Sequence, residues 1–165
     1  MSGQIEYLMP GAEQVNLQEL QEFYDQHCGS SVGPDRLQAM LRRSSAVVLA
    51  RQSGRLVGLA RGLSDGQQGF LTECKLDPAL QGPAAVTRTD GRIEHDQHGI
   101  AREMAMRVLE ALVEEGVERI NVRAHGTEED FCAELGFRRV SGAVAMSLET
   151  PDLAPCRMSA GVAAS

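Results

Sequence analysis

The sequence predicts a mixed α/β domain in which an antiparallel meander runs into a βαβ crossover. Two features carry that reading. The continuous apolar run Ala46-Val47-Val48-Leu49-Ala50 is followed by a Ser53-Gly54 turn and a returning run from Arg55 to Arg61, which is the pattern of a buried hairpin. Later, Ile100, Met104, Val108, Leu109, Leu112 and Val113 recur at helical spacing, and a short strand pattern at Arg119–Ala124 follows.

Taken in order, Gln4 to Met9 reads as a first strand. Asn16-Leu17-Gln18-Glu19 has the spacing of a capping box, and Leu17, Leu20, Phe23 and Tyr24 share one face of the helix it starts. Gly33-Pro34 opens a second helix carrying Leu37, Met40 and Leu41, since proline is tolerated in a first turn. The hairpin comes next. Asp65 to Gly69 makes a second turn, and Phe70 to Leu76 is the third strand of the meander. Strict alternation puts Leu71, Glu73 and Lys75 on one face of that strand and Phe70, Thr72, Cys74 and Leu76 on the other. The long helix runs from Gly99 to Glu115, with Gly116 suited to its C-terminal turn. Thr127-Glu128-Glu129-Asp130 opens a last helix, its acidic residues placed where the dipole favours them, and Gly136 ends it. Phe137 to Leu148 reads as a final strand or pair of strands. The order is β-α-α-β-β-β-α-β-α-β.

A chain of 165 residues is one domain by length, and we expect it to span 1–149, with 150–165 a loose tail rich in Ala, Ser and Pro. Against 16 Lys and Arg stand 23 Asp and Glu, a formal charge of -7, which argues against non-specific binding of nucleic acid. No apolar run reaches membrane-spanning length, and Met1 to Pro10 lacks the features of a secretory signal. Cys28, Cys74, Cys132 and Cys156 are far apart in sequence, which fits a reducing cytoplasm better than a disulfide framework. His95 and His98 form an H-x-x-H pair with no accompanying cluster of ligands, so no metal is expected.

Between Gly82 and His98 lies a polar, turn-rich stretch, 83–97. Without it, Gln81-Gly82 would join His98-Gly99-Ile100-Ala101 as Gln-Gly-His-Gly-Ile-Ala. That string resembles the Q/R-x-x-G-x-G/A signature of the GNAT superfamily, the acyl-CoA-dependent N-acyltransferases. Leu135-Gly136-Phe137 matches the end of the family's closing motif, and Val57-Gly58 in the meander also fits; the resemblance covers roughly Ser45 to Glu149. The chain is therefore identified as GNAT-like, with a loop insertion at 83–97.

The resemblance implies acetyl transfer from acetyl-CoA to a primary amine of a small molecule or a protein, through a ternary complex. Unpaired backbone N–H groups at a glycine-bearing helix start grip a diphosphate, and the helix dipole assists. It thus implies that Gln81, Gly82, His98, Gly99, Ile100, Ala101 and Arg102 hold the cofactor and that Leu76 contributes a backbone amide to its pantetheine arm. Glu73 is the candidate base, because an alkylammonium must lose a proton before it attacks; the alternative is a surface pair with Lys75. Cys132 stands where the resemblance expects a tyrosine acid, and is either that acid or a small packed thiol. His125, at the end of the strand after the long helix, is either a cofactor or acid/base group or a loop residue. The segment 83–97 is open to three readings: a flap in which Arg88 and Arg92 supply donors, a neutral excursion, or an obstruction in which Glu94 and Asp96 repel a diphosphate. A module without catalysis, sensing acyl-CoA or binding a protein, is the rival function. The acceptor and the oligomeric state, monomer or homodimer, are left open.

Overall fold

A computed structural model of the chain describes residues 3–82 and 92–151. Among the described residues, five strands and four α-helices form three layers. Strands β1 (Ile5–Leu8), β2 (Ala46–Gln52), β3 (Arg55–Ser64), β4 (Gln68–Leu76) and β5 (Arg119–Val122) lie in the sheet in that order. The first four pair antiparallel, and β5 joins β4 in parallel across the crossover. Helices α1 (Leu17–His27) and α2 (Pro34–Arg43) cover one face. Helix α3 (Ile100–Glu114) covers the other, and α4 (Glu128–Glu134) adds Phe131 and Cys132 to the same core. None of the described helices is long and apolar enough to cross a membrane.

Local chemistry explains most boundaries. Asn16 Oδ1 accepts from Glu19 N at 3.1 Å, the first half of the capping box. The Glu19 carboxylate turns instead to Arg51, at 2.5 and 3.0 Å, and so ties α1 to β2. Ser53 and Gly54 both have positive φ, 52° and 76°, as a two-residue hairpin turn requires. On β2, Val48 and Ala50 face α3 while Val47 and Leu49 face α1 and α2, which is why this strand reads as an unbroken apolar run.

The fit of α3 depends on glycines in the sheet. A Cβ on Gly62 would lie 2.7 Å from Val108 Cγ1, and one on Gly69 would lie 3.2 Å from Leu112 Cδ1. On Gly58 it would meet Met104 Sδ and Cε at 2.8 Å. Met104, Val108 and Leu112 form a ridge at four-residue spacing that beds into this flat strip. Met104 can swing its flexible end aside, whereas Val108 is stiff. Urea unfolding is therefore expected to show Gly62→Ala destabilised by about 1–3 kcal/mol and Gly58→Ala by clearly less. Equal losses would mean that the backbone, not the ridge, sets the cost.

Two expectations are corrected. Alternation along β4 breaks at Thr72, because Gly62 pairs with Leu71 but Arg61 pairs with Glu73. Thr72 is the extra residue of a β-bulge. Leu71 consequently joins Cys74 and Leu76 in the α3 core, while Glu73 faces α1. Second, no strand forms over Phe137–Leu148. Val140, Val144, Met146 and Leu148 do recur at even spacing, but they are exposed, and among the described residues the segment joins no ladder. Period-two patterning is a local property, whereas a strand also needs a backbone partner.

Candidate active site

The sheet opens between β4 and β5. Their parallel pairing runs from Gln68 opposite Arg119 to Leu71 opposite Val122 and stops there, while β4 continues to Leu76. Asp77 N donates to Val57 O at 2.8 Å, which makes that pair a hydrogen-bonded one. Leu76 and Cys74, one and three positions earlier in regular register, therefore turn their N–H groups away from β3 and toward the opening. A cleft of about 290 Å³ fills the gap, with Glu73, Cys74, Lys75, Val122, His125 and Cys132 on its walls.

Glu73 reaches this cleft through the bulge, and its carboxylate is held from behind. Tyr24 Oη, from α1, donates to Oε2 at 2.6 Å. Arg61 Nε, from β3, donates to the same oxygen at 2.9 Å, and Arg61 Nη1 donates to Ser44 Oγ at 3.2 Å. Arg61 and Glu73 are 11% and 19% exposed, so the pair is shielded from solvent on most sides. The expected alternative, a surface pair with Lys75, is not formed: Arg61 takes that place. Burial, then the adjacent Glu73 carboxylate, pushes the Tyr24 hydroxyl far above its ordinary range, so Tyr24 remains a donor. Both donors bind Oε2. Among the described residues none hydrogen-bonds Oε1, which is the oxygen left to meet a ligand.

At the start of α3, Gly99 adopts the left-handed conformation with φ 70°. The helix N-terminus is already capped by the chain itself. Asp96 Oδ1 accepts from Ala101 N at 2.9 Å, Asp96 Oδ2 accepts from Arg102 N at 2.8 Å, and Asp96 O accepts from Gly99 N at 3.1 Å. Gln81 is fully buried. Its Nε2 donates to Leu76 O and Arg92 O, both at 3.0 Å, and its Oε1 accepts from Glu94 N at 2.8 Å. Gln81 thus staples residues 92–95 to the end of β4, and Ile93 is sunk in the core beside it. Gly82, with φ 137°, packs against Gln97. The side chains of His98 and Arg102 are exposed, whereas Ile100 is buried. The readings that fall on 83–91, a donor role for Arg88 among them, lie outside the described residues.

No family model matches the sequence, and no curated protein is significantly similar to it. Solved structures are. A proposed acetyltransferase from Deinococcus radiodurans R1 superposes with a TM-score of 0.60 at 23% identity, over 90% of each chain. A GNAT-family acetyltransferase from Streptococcus pneumoniae TIGR4 gives 0.60 at 18% identity, over 88% of this chain and 100% of its own. The aminoglycoside N-acetyltransferase AAC(6')-Iy, in complex with CoA, gives 0.63 at 14% identity, over 90% and 97%. The chain has the GNAT fold.

Within this GNAT fold the three residues singled out as catalytic, Glu73, Cys132 and His125, line one cleft. Cys132 is buried on α4, and burial followed by the Glu128 carboxylate pushes its thiol up to about 11. It therefore keeps its proton at neutral pH and is a weaker acid than an ordinary thiol. His125 is exposed at the rim, its backbone N–H donating to Glu128 Oε1 at 3.2 Å. Among the described residues no group of three His, Cys, Asp or Glu is placed to hold a metal ion. Sequence reasoning missed two partners and the bonding of a third. Tyr24 shows in the sequence only as an apolar-face residue of α1 and Arg61 only as a strand residue, while Asp96 was named with Glu94 as repelling a diphosphate but not as the cap of α3. The one available clue to Asp96 was its place three residues before a helix-opening glycine.

Proposed function

We propose that the protein is an N-acyltransferase that moves an acetyl group from a pantetheine thioester, acetyl-CoA being the first donor to test, to a primary amine. The observation that carries this reading is Glu73 on the wall of the cleft beside the opened β4 edge, with both donors on Oε2 and no described residue hydrogen-bonded to Oε1. In this reading the thioester arm lies along that edge, and the N–H groups of Cys74 and Leu76 are the donors available to it. The amine enters from the side of α1 and α2 and gives a proton to Glu73 Oε1. Its nitrogen then attacks the thioester carbonyl carbon, the C–S bond breaks, the thiolate leaves, and the nitrogen gives its second proton to water in the cleft. Because the Cys132 thiol holds its own proton tightly, we assign protonation of the leaving thiolate to water in the cleft. Support also comes from AAC(6')-Iy, a protein of this fold that binds CoA.

One observation favours a second reading. Asp96 occupies amides that a diphosphate would use, which suits a GNAT-fold module that senses acyl thioesters or binds a protein without catalysis. Release of free thiol from acetyl-CoA and from S-acetyl-pantetheine, measured across a panel of primary amines, separates the two. Acyl transfer predicts amine-dependent release with at least one donor. Binding of a donor by calorimetry with no release for any amine would replace the first reading by the second.

A further inference from the structure

We propose that Asp96 is a specificity-determining residue that sets this protein against the diphosphate of CoA, so that its preferred acyl donor is a pantetheine thioester lacking that group. The inference rests on the acyltransferase reading above and concerns only which donor the cleft accepts.

The two halves of the donor route are in opposite states. The cleft between β4 and β5 is open and Cys74 lines it, while the Cys74 and Leu76 amides point to that side of β4, away from β3. The start of α3 is closed, because both oxygens of one carboxylate take the Ala101 and Arg102 amides at 2.9 and 2.8 Å. A carboxylate at a helix N-terminus is favoured by the dipole and makes charge-assisted hydrogen bonds, so it competes with any other anion for the same donors. Asp96 is also anchored. Its carbonyl binds Gly99 N, and the residues just before it hang from the buried Gln81.

The surroundings act in the same direction. A cavity of about 620 Å³ adjoins this helix start; Asp96, Asp130 and Glu134 are among its described lining residues, and His95 is the one basic residue among those described. A diphosphate placed there would leave water for a field of its own sign. A pantetheine arm bears no charge until its terminal phosphate, and so can use the open cleft without meeting Asp96. A single phosphoester at the end of the arm, free or attached to a carrier protein, shares this chemistry.

The experiment compares CoA, 4'-phosphopantetheine and pantetheine by calorimetry, and their acetyl thioesters by amine-dependent thiol release, in the wild type, Asp96→Ala and Asp96→Asn. Wild-type protein is expected to bind pantetheine at least as well as CoA. Asp96→Ala should bind CoA about tenfold or more tightly than wild type, while its affinity for pantetheine moves less than about twofold. Asp96→Asn, which keeps the shape and one acceptor, should shift in the same direction by less. A merely structural cap predicts the reverse, because its loss frays α3 and weakens every ligand; that result would overturn the proposal, as would unchanged CoA affinity in both variants. The 4'-phosphopantetheine arm decides whether one phosphate is tolerated, and a loss of binding as large as that for CoA would also overturn it. Wild type that turns over acetyl-CoA as readily as acetyl-pantetheine would refute the role of Asp96 and leave acyl transfer standing. Absence of binding by all three ligands in all three proteins would remove the acyltransferase reading itself.

Discussion

Glu73→Gln is expected to lower amine-dependent thiol release by about 10²–10⁴-fold at neutral pH, the usual contribution of a positioned general base. Gln has the size of Glu, so Tyr24 and Arg61 can still bond the one remaining oxygen. The group then facing the cleft becomes an NH2, a donor where an acceptor is needed. Donor affinity should be unchanged, because the arm is assigned to backbone amides of Cys74 and Leu76 rather than to this side chain. The separation is the point of the measurement: turnover falls while calorimetric binding of the donor holds. Folding should suffer as well, since Arg61 keeps a hydrogen bond but loses the opposite charge in a shielded position, so urea unfolding is measured beside turnover. Full turnover in a folded Glu73→Gln protein would exclude Glu73 as the base.

Leu112→Ala should show the largest loss of stability at a single site, about 2–5 kcal/mol in urea unfolding. Leu112 is fully buried and ends the ridge that α3 presses onto Gly62 and Gly69. The glycines have no side chains with which to close around the void, and Val117 and Ile120 are fixed on the adjoining turn and strand. Residue 112 lies ten positions beyond Arg102, about 15 Å along the helix axis. The choice between CoA and pantetheine should therefore survive in whatever fraction of the protein remains folded. A loss below about 1 kcal/mol would mean that the site collapses and that the ridge is not the main bond between helix and sheet.

The parts of the fold legible in the sequence are those whose signals are local. The capping residue Asn16, the Ser53-Gly54 turn and the stripe from Ile100 to Val113 each act within a few residues, and each element formed where its signal lay. The stretch from Val140 to Leu148 shows the limit of such signals, for its alternation is present and no strand results. The candidate site was legible in its chemistry and not in its connections. Glu73, Cys132 and His125 could be picked out singly from the resemblance, and the splayed strands collect them around one opening.

From its residues alone this chain fixed an α/β domain with a meander, a crossover and a glycine before the long helix, because helix caps, turns and periodic apolar faces are set by neighbours in sequence. Tertiary structure decided which way Glu73 faces, through one extra residue at Thr72. It brought Tyr24 to that carboxylate across 49 positions, and it placed Asp96 on the amides of α3. The physical reason is common to all three. A bulge is defined by the register against β3, and a hydrogen bond is defined by where two distant segments meet. Neither quantity is written in any short window of the chain.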